Sequence, residues 1–439
     1  MAADGTLTLT RVLQNTSLGA QERGGPRWAH DGAHGTIYAS VSEVTNEFVG
    51  WPFSGTALGT RVDNNISAGG WFDINPAGNR VAIQQFGAAN FFIVYVLNAN
   101  GTLGSSLATS GTVHTTMNKI KWSPDGAYIG VVDSTTAGLS VYPWVADALG
   151  TRIIVPGTPG AMQDLDWNNA GTKIAVARTT NGNRIAVYDF SGGVLSGMVE
   201  PASADSNSVL GVQFHPDETY IAASVDDSPF LHVYAWDGQS FGTQTSPVPT
   251  GAGTGAGWVS RWSPLGSFII VAGIGGDGNK QIWGYSFDSA TGAITSRVVP
   301  DVDISNLVLG IDVSDDAAYV ASFDAAEDLT IWQTGWIIPT VPDAPGTVTL
   351  TIISRITCRP PVDIIASWTA PASDYPITSY TATISGVAPT SDPPHTSITT
   401  TNLSAIFGGL QSGGTYQVCV YATSSQGNGP TTCETITIT

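Results

Sequence analysis

Apolar and polar positions alternate in short runs along the first three quarters of the chain, and the runs recur in a fixed order. Each unit has an apolar or aromatic anchor, a turn soon after it, a short apolar strand, and an aromatic about twenty residues beyond the anchor. The anchors are Trp28, Ile74, Trp122, Trp167, Phe214, Trp262 and Val313, and the aromatics are Phe48, Tyr95, Tyr142, Tyr188, Tyr234, Trp283 and Trp332. Successive anchors lie 46, 48, 45, 47, 48 and 51 residues apart. The third unit shows the logic: Ile120–Trp122, the turn Ser123-Pro124-Asp125-Gly126, the run Ala127–Val132, then Leu139–Tyr142. Pro presets φ at the first corner, Asp hydrogen-bonds the local backbone, and Gly takes positive φ without strain. The flanking runs are rich in β-branched and aromatic residues and too short for helices.

Strand-like units repeating every ~40–50 residues predict a seven-bladed β-propeller, one four-stranded blade per repeat. A blade buries its faces only against its neighbours, so the ring has to close. The alternating segment Thr6–Val12 is expected to supply the outermost strand of the last blade, covering an edge that would otherwise invite aggregation. A free arm that binds a partner is the alternative. The expected organisation is all-β: a propeller over residues 1–338, a Pro-rich linker over 339–346, and a second domain over 347–439.

In each blade the innermost strand carries the anchor. The residue two before it is mostly apolar, so the residue directly before it faces the opposite way, toward the axis. Those channel-lining candidates are Arg27, Asp73, Lys121, Asp166, Gln213, Arg261 and Asp312: three cations, three anions and one amide. The favoured reading is a self-neutralising plug in which the charges pair across a narrow pore, because unpaired charge in a confined place is costly. The competing reading is a small-molecule site, with Arg27 or Arg261 holding an anion and Asp73 or Asp166 acting as base.

The segment Ile338-Pro339-Thr340-Val341-Pro342-Asp343-Ala344-Pro345-Gly346 holds three prolines and cannot continue a central strand. Beyond it, Trp368 in Ala-Ser-Trp-Thr-Ala-Pro, Tyr380, Leu410, and Tyr416 in Gly-Gly-Thr-Tyr-Gln-Val-Cys-Val stand at spacings that resemble a fibronectin type III module. The resemblance implies a β-sandwich with Trp368 in its core and Tyr416 as the corner tyrosine. A spacer or docking role is expected of it, and there is no Arg-Gly-Asp tripeptide.

Charge narrows the partners. The net charge is −19, the pI is near 4.4, and only 12% of residues are charged. Lys119, Lys121, Lys173 and Lys280 are the only lysines. Such a chain is not expected to wrap nucleic acid or dock on anionic lipid. Neither a signal peptide nor a membrane-spanning stretch is read at Met1–Gly5 or elsewhere. The cysteines, Cys358, Cys419 and Cys433, all fall in the second domain. A Cys419–Cys433 cross-link is one open pairing, while the odd count and missing export signal favour reduced thiols at synthesis. No cofactor and no metal site are expected: there is no CxxC pair, and His30 and His34 flank Asp31-Gly32, which reads as a turn. His215 takes the turn position held by Ser in other blades and is read as structural. The glycine-rich segment Gly251–Gly257 lacks the Lys and helix of a phosphate-binding loop.

The unit Ser-Pro-Asp-Gly, apolar strand, Val-Tyr or Ile-Trp resembles WD40-like and YVTN or lactonase-like propellers. The Trp-Asp dipeptide of true WD40 repeats is replaced by Tyr142-Pro143, Tyr234-Ala235, Trp283-Gly284 and Trp332-Gln333, so stability is expected mainly from apolar packing. The fifth unit is more specific. Phe214-His215-Pro216-Asp217-Glu218-Thr219-Tyr220-Ile221-Ala222, then Ser228-Pro229-Phe230-Leu231-His232-Val233-Tyr234 and Gly253-Thr254-Gly255, resembles the repeat of WD40-like proteins of tailed bacteriophages. That resemblance implies a non-enzymatic virion protein of the tail, fibre or capsid surface, made in the bacterial cytoplasm. Its partners would be other virion proteins and a host surface protein or glycan. Gln281–Gly292 resembles a strand and turn of lactonase-like enzymes, which makes a lactonase the first alternative. An intracellular interaction scaffold, using loop tips such as Asp226-Asp227, is the second.

Overall fold

The computed structural model describes residues 7–15, 24–29, 35–42, 46–66, 70–85, 91–111, 114, 116–134, 138–155, 160–179, 184–202, 208–226, 229–246, 256–274, 281–302, 306–325, 328–335, 342–353, 362–371, 377–387, 390–391, 397–424 and 427–439. Among these residues the fold is all-β, without a helix. The chain divides into two compact units, Met1–Ile338 and Pro339–Thr439.

The first unit contains, among the described residues, seven antiparallel sheets that follow chain order. Sheet one comprises Gly24–Trp28, Thr36–Ser42, Asn46–Pro52 and Val62–Asn65. The first strands of sheets two to seven are Phe72–Ile74, Met117–Trp122, Met162–Trp167, Val209–Phe214, Ala256–Trp262 and Val308–Val313. Each carries its anchor as the last residue, and the anchor pairs with a β-branched residue of the second strand: Trp28 with Ile37, Trp122 with Ile129, Val313 with Val320. The first strand of each sheet lies against the first strand of the next, and that of sheet seven lies against that of sheet one.

Register corrects two of the seven aromatics. Tyr95, Tyr142, Tyr188, Tyr234 and Trp332 all sit opposite the second-strand partner of their anchor. In sheets one and six that place belongs to Trp51, opposite Ile37, and Tyr285, opposite Ile269, rather than to Phe48 and Trp283. In sheet one the connection between the first and second strands is longer than in the other sheets, and in sheet six the one between the second and third is, which moves the equivalent residue further along the chain. Phe48 and Trp283 are buried nonetheless.

The turns after the anchors of sheets two to seven share one geometry. In sheet three, Gly126 N–H donates to Ser123 O at 2.9 Å with Gly126 at φ 68°. Gly78, Gly171 and Gly266 repeat it, while Glu218 and Ala317 hold the same left-handed position without being glycine. His215 is structural in a specific sense. Its Nδ1 lies 2.5 Å from Asp217 Oδ1 and its Nε2 lies 3.0 Å from Gly266 O, tying the turn of sheet five to that of sheet six.

The N-terminal strand is Thr10–Asn15, later than the expected Thr6–Val12. It pairs antiparallel with Leu329–Gln333 and completes sheet seven in the order Thr10–Asn15, Leu329–Gln333, Tyr319–Asp324, Val308–Val313. Leu7 and Leu9 precede it and are buried among Phe268, Ile270 and Ile282 of sheet six and Val308, Ile311 and Trp332 of sheet seven. The alternation read in Thr6–Val12 therefore marks two apolar plugs followed by an edge strand. The strand pairs with a register shift between Arg11 and Leu13.

Apolar packing dominates, and each core cluster is built from side chains of neighbouring sheets. It is not the whole account. In sheet three, His114 Nδ1 lies 3.0 Å from Asp133 Oδ2 and its Nε2 lies 2.8 Å from Tyr142 Oη, all three groups buried. Burial pushes the Tyr142 phenol up to about 12. In sheet seven, Trp332 Nε1 donates to Ser322 Oγ at 2.8 Å. Two sheets thus carry buried polar networks, where satisfied groups fix a unique arrangement.

The second unit is a sandwich of two sheets. One sheet is Thr349–Ile353, Val362–Ser367 and Ser404–Leu410. The other centres on Ser379–Gly386 and Thr415–Ser424. Trp368, Tyr380, Leu410 and Tyr416 are buried between them. Tyr416 Oη accepts a hydrogen bond from Gln411 N–H at 2.9 Å, pinning the corner before its own strand. Only part of the expected linker links. Gly346 N–H donates to Thr369 O and Thr432 Oγ1 donates to Pro345 O, so the chain from Pro342 belongs to the sandwich. Cys419 and Cys433 face each other on adjacent strands and form a disulfide, so the folded unit does not keep the reduced thiols expected at synthesis. Cys358, His30, His34 and Gly251–Gly255 lie outside the described residues.

Candidate functional site

The first strands deliver the seven residues that precede the anchors, and a common rule governs their contacts. Where the residue can accept, it takes the backbone N–H of the next sheet's anchor. Asp73 Oδ2 accepts from Trp122 at 2.8 Å, Asp166 Oδ2 from Phe214 at 2.7 Å, Gln213 Oε1 from Trp262 at 2.8 Å, and Asp312 Oδ2 from Trp28 at 2.9 Å. Where the residue is a cation, it pairs with the carboxylate that follows. Arg27 Nε lies 3.6 Å from Asp73, Lys121 Nζ contacts Asp166, and Arg261 Nε lies 3.8 Å from Asp312. Each aspartate therefore serves two partners, one oxygen to a cation and one to a backbone donor. The cation comes from the sheet before and the donor from the sheet after, so each carboxylate ties its own sheet to both neighbours.

A second row lies behind this one. Side chains two positions apart on a strand share a face, so the residues three before the anchors point the same way. They are Gly25, Trp71, Lys119, Asp164, Gly211, Val259 and Gly310. Lys119 Nζ lies 3.7 Å from Asp164 Oδ1 and 4.0 Å from the centroid of the Trp71 ring. Asp164 Oδ2 also accepts Val212 N–H at 3.2 Å, repeating the inter-sheet bond one layer back. The available signal is the i, i+2 pair Lys119/Lys121 matched by Asp164/Asp166 in the next unit. The rest of the row masks it, because three of its seven positions are glycine and two, Trp71 and Val259, are apolar.

The two rows are electrostatically one cluster. Burial pushes the Lys119 amine down to about 7, with Asp164 opposing that change and Arg27, Arg261 and Lys121 adding to it. Burial also lowers Arg261, with Arg27 adding to that change and Asp164, Asp312 and Asp166 opposing it. Groups from sheets one, three, four, six and seven thus act on one interior. A folded-state lysine held below its ordinary 10.5 binds fewer protons than the unfolded chain. Its penalty is fully present below about pH 7 and fades as pH rises toward 10.5, so stability rises across that window. The penalty is on the order of a few kcal/mol. Denaturant titrations at pH 7 and pH 9.5 are expected to show that rise, and Lys119→Met should flatten it.

Chemically, the arrangement holds charge rather than offering it. No aspartate of the first row keeps both oxygens for a substrate, and the two arginines of the row, Arg27 and Arg261, are aimed at carboxylates. Among the described residues no group of three His, Cys, Asp or Glu side chains is placed to hold a metal ion. Residues 355–438, within the sandwich unit, match the fibronectin type III domain family. No curated protein matches the chain.

Proposed function

We propose that the first unit is a closed seven-bladed β-propeller and that the protein is a non-enzymatic structural component of a tailed-phage virion, the fibronectin type III sandwich being its attachment module. What supports closure is the seam between sheets seven and one. It repeats the contacts of the other junctions: Asp312 accepts from Trp28 as Asp73 does from Trp122, and the first strands of the two sheets lie side by side. The N-terminal strand, paired with Leu329–Gln333, leaves sheet seven four-stranded like its neighbours.

The observation that carries the non-enzymatic reading is the pairing along the axis. Arg27, Asp73, Lys121, Asp166, Arg261 and Asp312 form three cation–carboxylate pairs, and Gln213 completes the set with a backbone bond. A plug of this kind stiffens the ring, and each of its three carboxylates is already committed to a cation and a backbone donor. The virion assignment rests on the fifth unit's phage-like repeat, on the appended sandwich, and on an acidic, lysine-poor surface suited to low nonspecific binding. In this reading loops at the rims meet other virion proteins and a host protein or glycan.

The test is biochemical fractionation. The protein is expected to co-purify with particles and to stay bound through moderate salt. Loss of residues 342–439 should abolish incorporation while leaving the first unit soluble. Hydrolysis across a lactone panel that falls at least tenfold in Asp166→Ala would replace this reading with the lactonase one. Capture of a bacterial cytosolic protein, with none in particles, would favour the scaffold.

A further inference from the structure

The sandwich leaves one rim open. Ser404–Leu410 ends the three-stranded sheet and, among the described residues, pairs only with Val362–Ser367. Ser397–Thr400 ends the other sheet and pairs only with Ser379–Gly386. Residues 401–403 join these two strands, which lie side by side. Open edges are normally blunted by charge, proline or a bulge, because their unpaired N–H and C=O groups template another strand. The last strand, Thr432–Thr437, carries Glu434, and the N-terminal strand carries Arg11. The rim has no such charge. Between His395 and Glu434 the chain holds no Asp, Glu, Lys, Arg or His, and Ser397–Leu410 holds no Pro. What the rim exposes is apolar: Ile406 is 57% exposed and Leu403 44%. Ile406 stands opposite the half-buried Ile365 of the neighbouring strand. A register shift beyond Phe407, with Gly409 at φ 83°, keeps the flat run short.

Charge identifies the occupant. Two copies of a chain with net charge −19 repel wherever their acidic surfaces meet. An uncharged rim that exposes isoleucine and leucine is where like copies approach without that cost. A basic partner would find no carboxylate on the rim to pair with. The outer strand of sheet four, Val194–Val199, shows the contrast. It also exposes Val194 and Met198, but the ion pairs Lys173–Asp189 and Arg178–Glu200 stand beside it. Covering that edge would take charge out of water.

We propose that Ser404–Leu410 pairs antiparallel with the same strand of a second copy of this chain, joining their two three-stranded sheets across a twofold axis. Each copy's edge is used once, so the contact closes as a dimer and does not grow into a fibre. Ile406 continues the row begun by Ile365 and packs against the second copy's edge. This pairing is independent of the particle reading above.

Analytical ultracentrifugation of the full-length protein tests it. So short an edge should give a dimer that dissociates on dilution within about 1–300 µM. Salt screens the net charge, so raising NaCl from about 20 to 300 mM should tighten the dimer severalfold. Ile406→Glu, and Leu403→Glu in the turn before the strand, should each weaken it about tenfold or more, because like charges then face each other across the contact. Val145→Glu adds the same charge at a residue 69% exposed in the first unit, and should leave the dimer unchanged. A monomer at every concentration would overturn the proposal. If Ile406→Glu then also failed to enter particles, the edge would belong to another virion protein. A dimer that salt weakens, or one that both glutamate variants leave intact, would overturn it as well.

Discussion

Removing residues 1–15 is expected to unfold the first unit at temperatures where the intact protein is stable. The loss strips sheet seven of its outer strand and uncovers Trp332, Phe268 and Ile270, against which Leu7 and Leu9 pack. Burying each leucine contributes roughly 1.5–3 kcal/mol, and the ladder from Thr10 to Asn15 adds to that. The sum is a large part of a typical domain's ~5–15 kcal/mol. Leu9→Ala isolates one contribution and should cost about 2–5 kcal/mol by chemical denaturation. A truncated protein that melts like the parent would show that the first unit does not need its N-terminal strand. In a protein built of sheets, an uncovered edge should also appear as concentration-dependent aggregation.

The second large effect belongs to the seam itself. Gly25 and Gly310 approach so closely that a Cβ added to Gly25 would stand 2.7 Å from the Gly310 Cα. Neither side of that contact is a flexible side chain, so the backbones would have to separate. Gly25→Val is expected to cost about 3 kcal/mol through overpacking, and to disturb the nearby Asp312–Trp28 bond. Gly78 provides the comparison. It sits at φ 67° with nothing within 4 Å of an added Cβ, so Gly78→Ala meets only backbone strain, about 1–2 kcal/mol. Circular dichroism melts of the two variants separate them. A Gly25→Val protein as stable as Gly78→Ala would mean that sheets seven and one are not pressed together.

Much of this is legible in the chain because the repeat is physical before it is structural. An anchor, a turn and an apolar strand recur wherever a sheet must bury one strand against the next sheet, and the seven anchors end seven first strands as read. What fails depends on register. A count of about twenty residues points to Phe48 and Trp283 in place of Trp51 and Tyr285, because hairpin length is invisible to it. The Lys119–Asp164 row escapes because three of its seven positions are glycine and two, Trp71 and Val259, are apolar, so it does not read as a polar ring. The axis residues are expected from sequence to pair across a pore. Instead their contacts run along the circuit, each cation to the next carboxylate and each carboxylate to the next backbone N–H, a partner that composition cannot reveal. In the sandwich, Trp368 and Tyr416 are readable from local motifs. The Cys419–Cys433 bond needs the strand pairing that sets them opposite each other.

The paired residues before the anchors and the proposed closed ring are one idea seen twice. Both depend on every sheet having a neighbour on each side, so that every acceptor before an anchor finds an N–H to take. The junction between the last sheet and the first is where that idea is exposed to failure. The most direct measurement is a cysteine cross-link between Thr10 and Gln333, exposed residues that sit opposite each other on the N-terminal strand and the last strand of sheet seven. In Thr10→Cys/Gln333→Cys, mild oxidation should give a disulfide within a single chain, identified by mass spectrometry of the joined peptides, in nearly all molecules. Free thiols at both positions in a folded protein, or cross-links formed only between chains, would contradict a ring fastened by its own first strand.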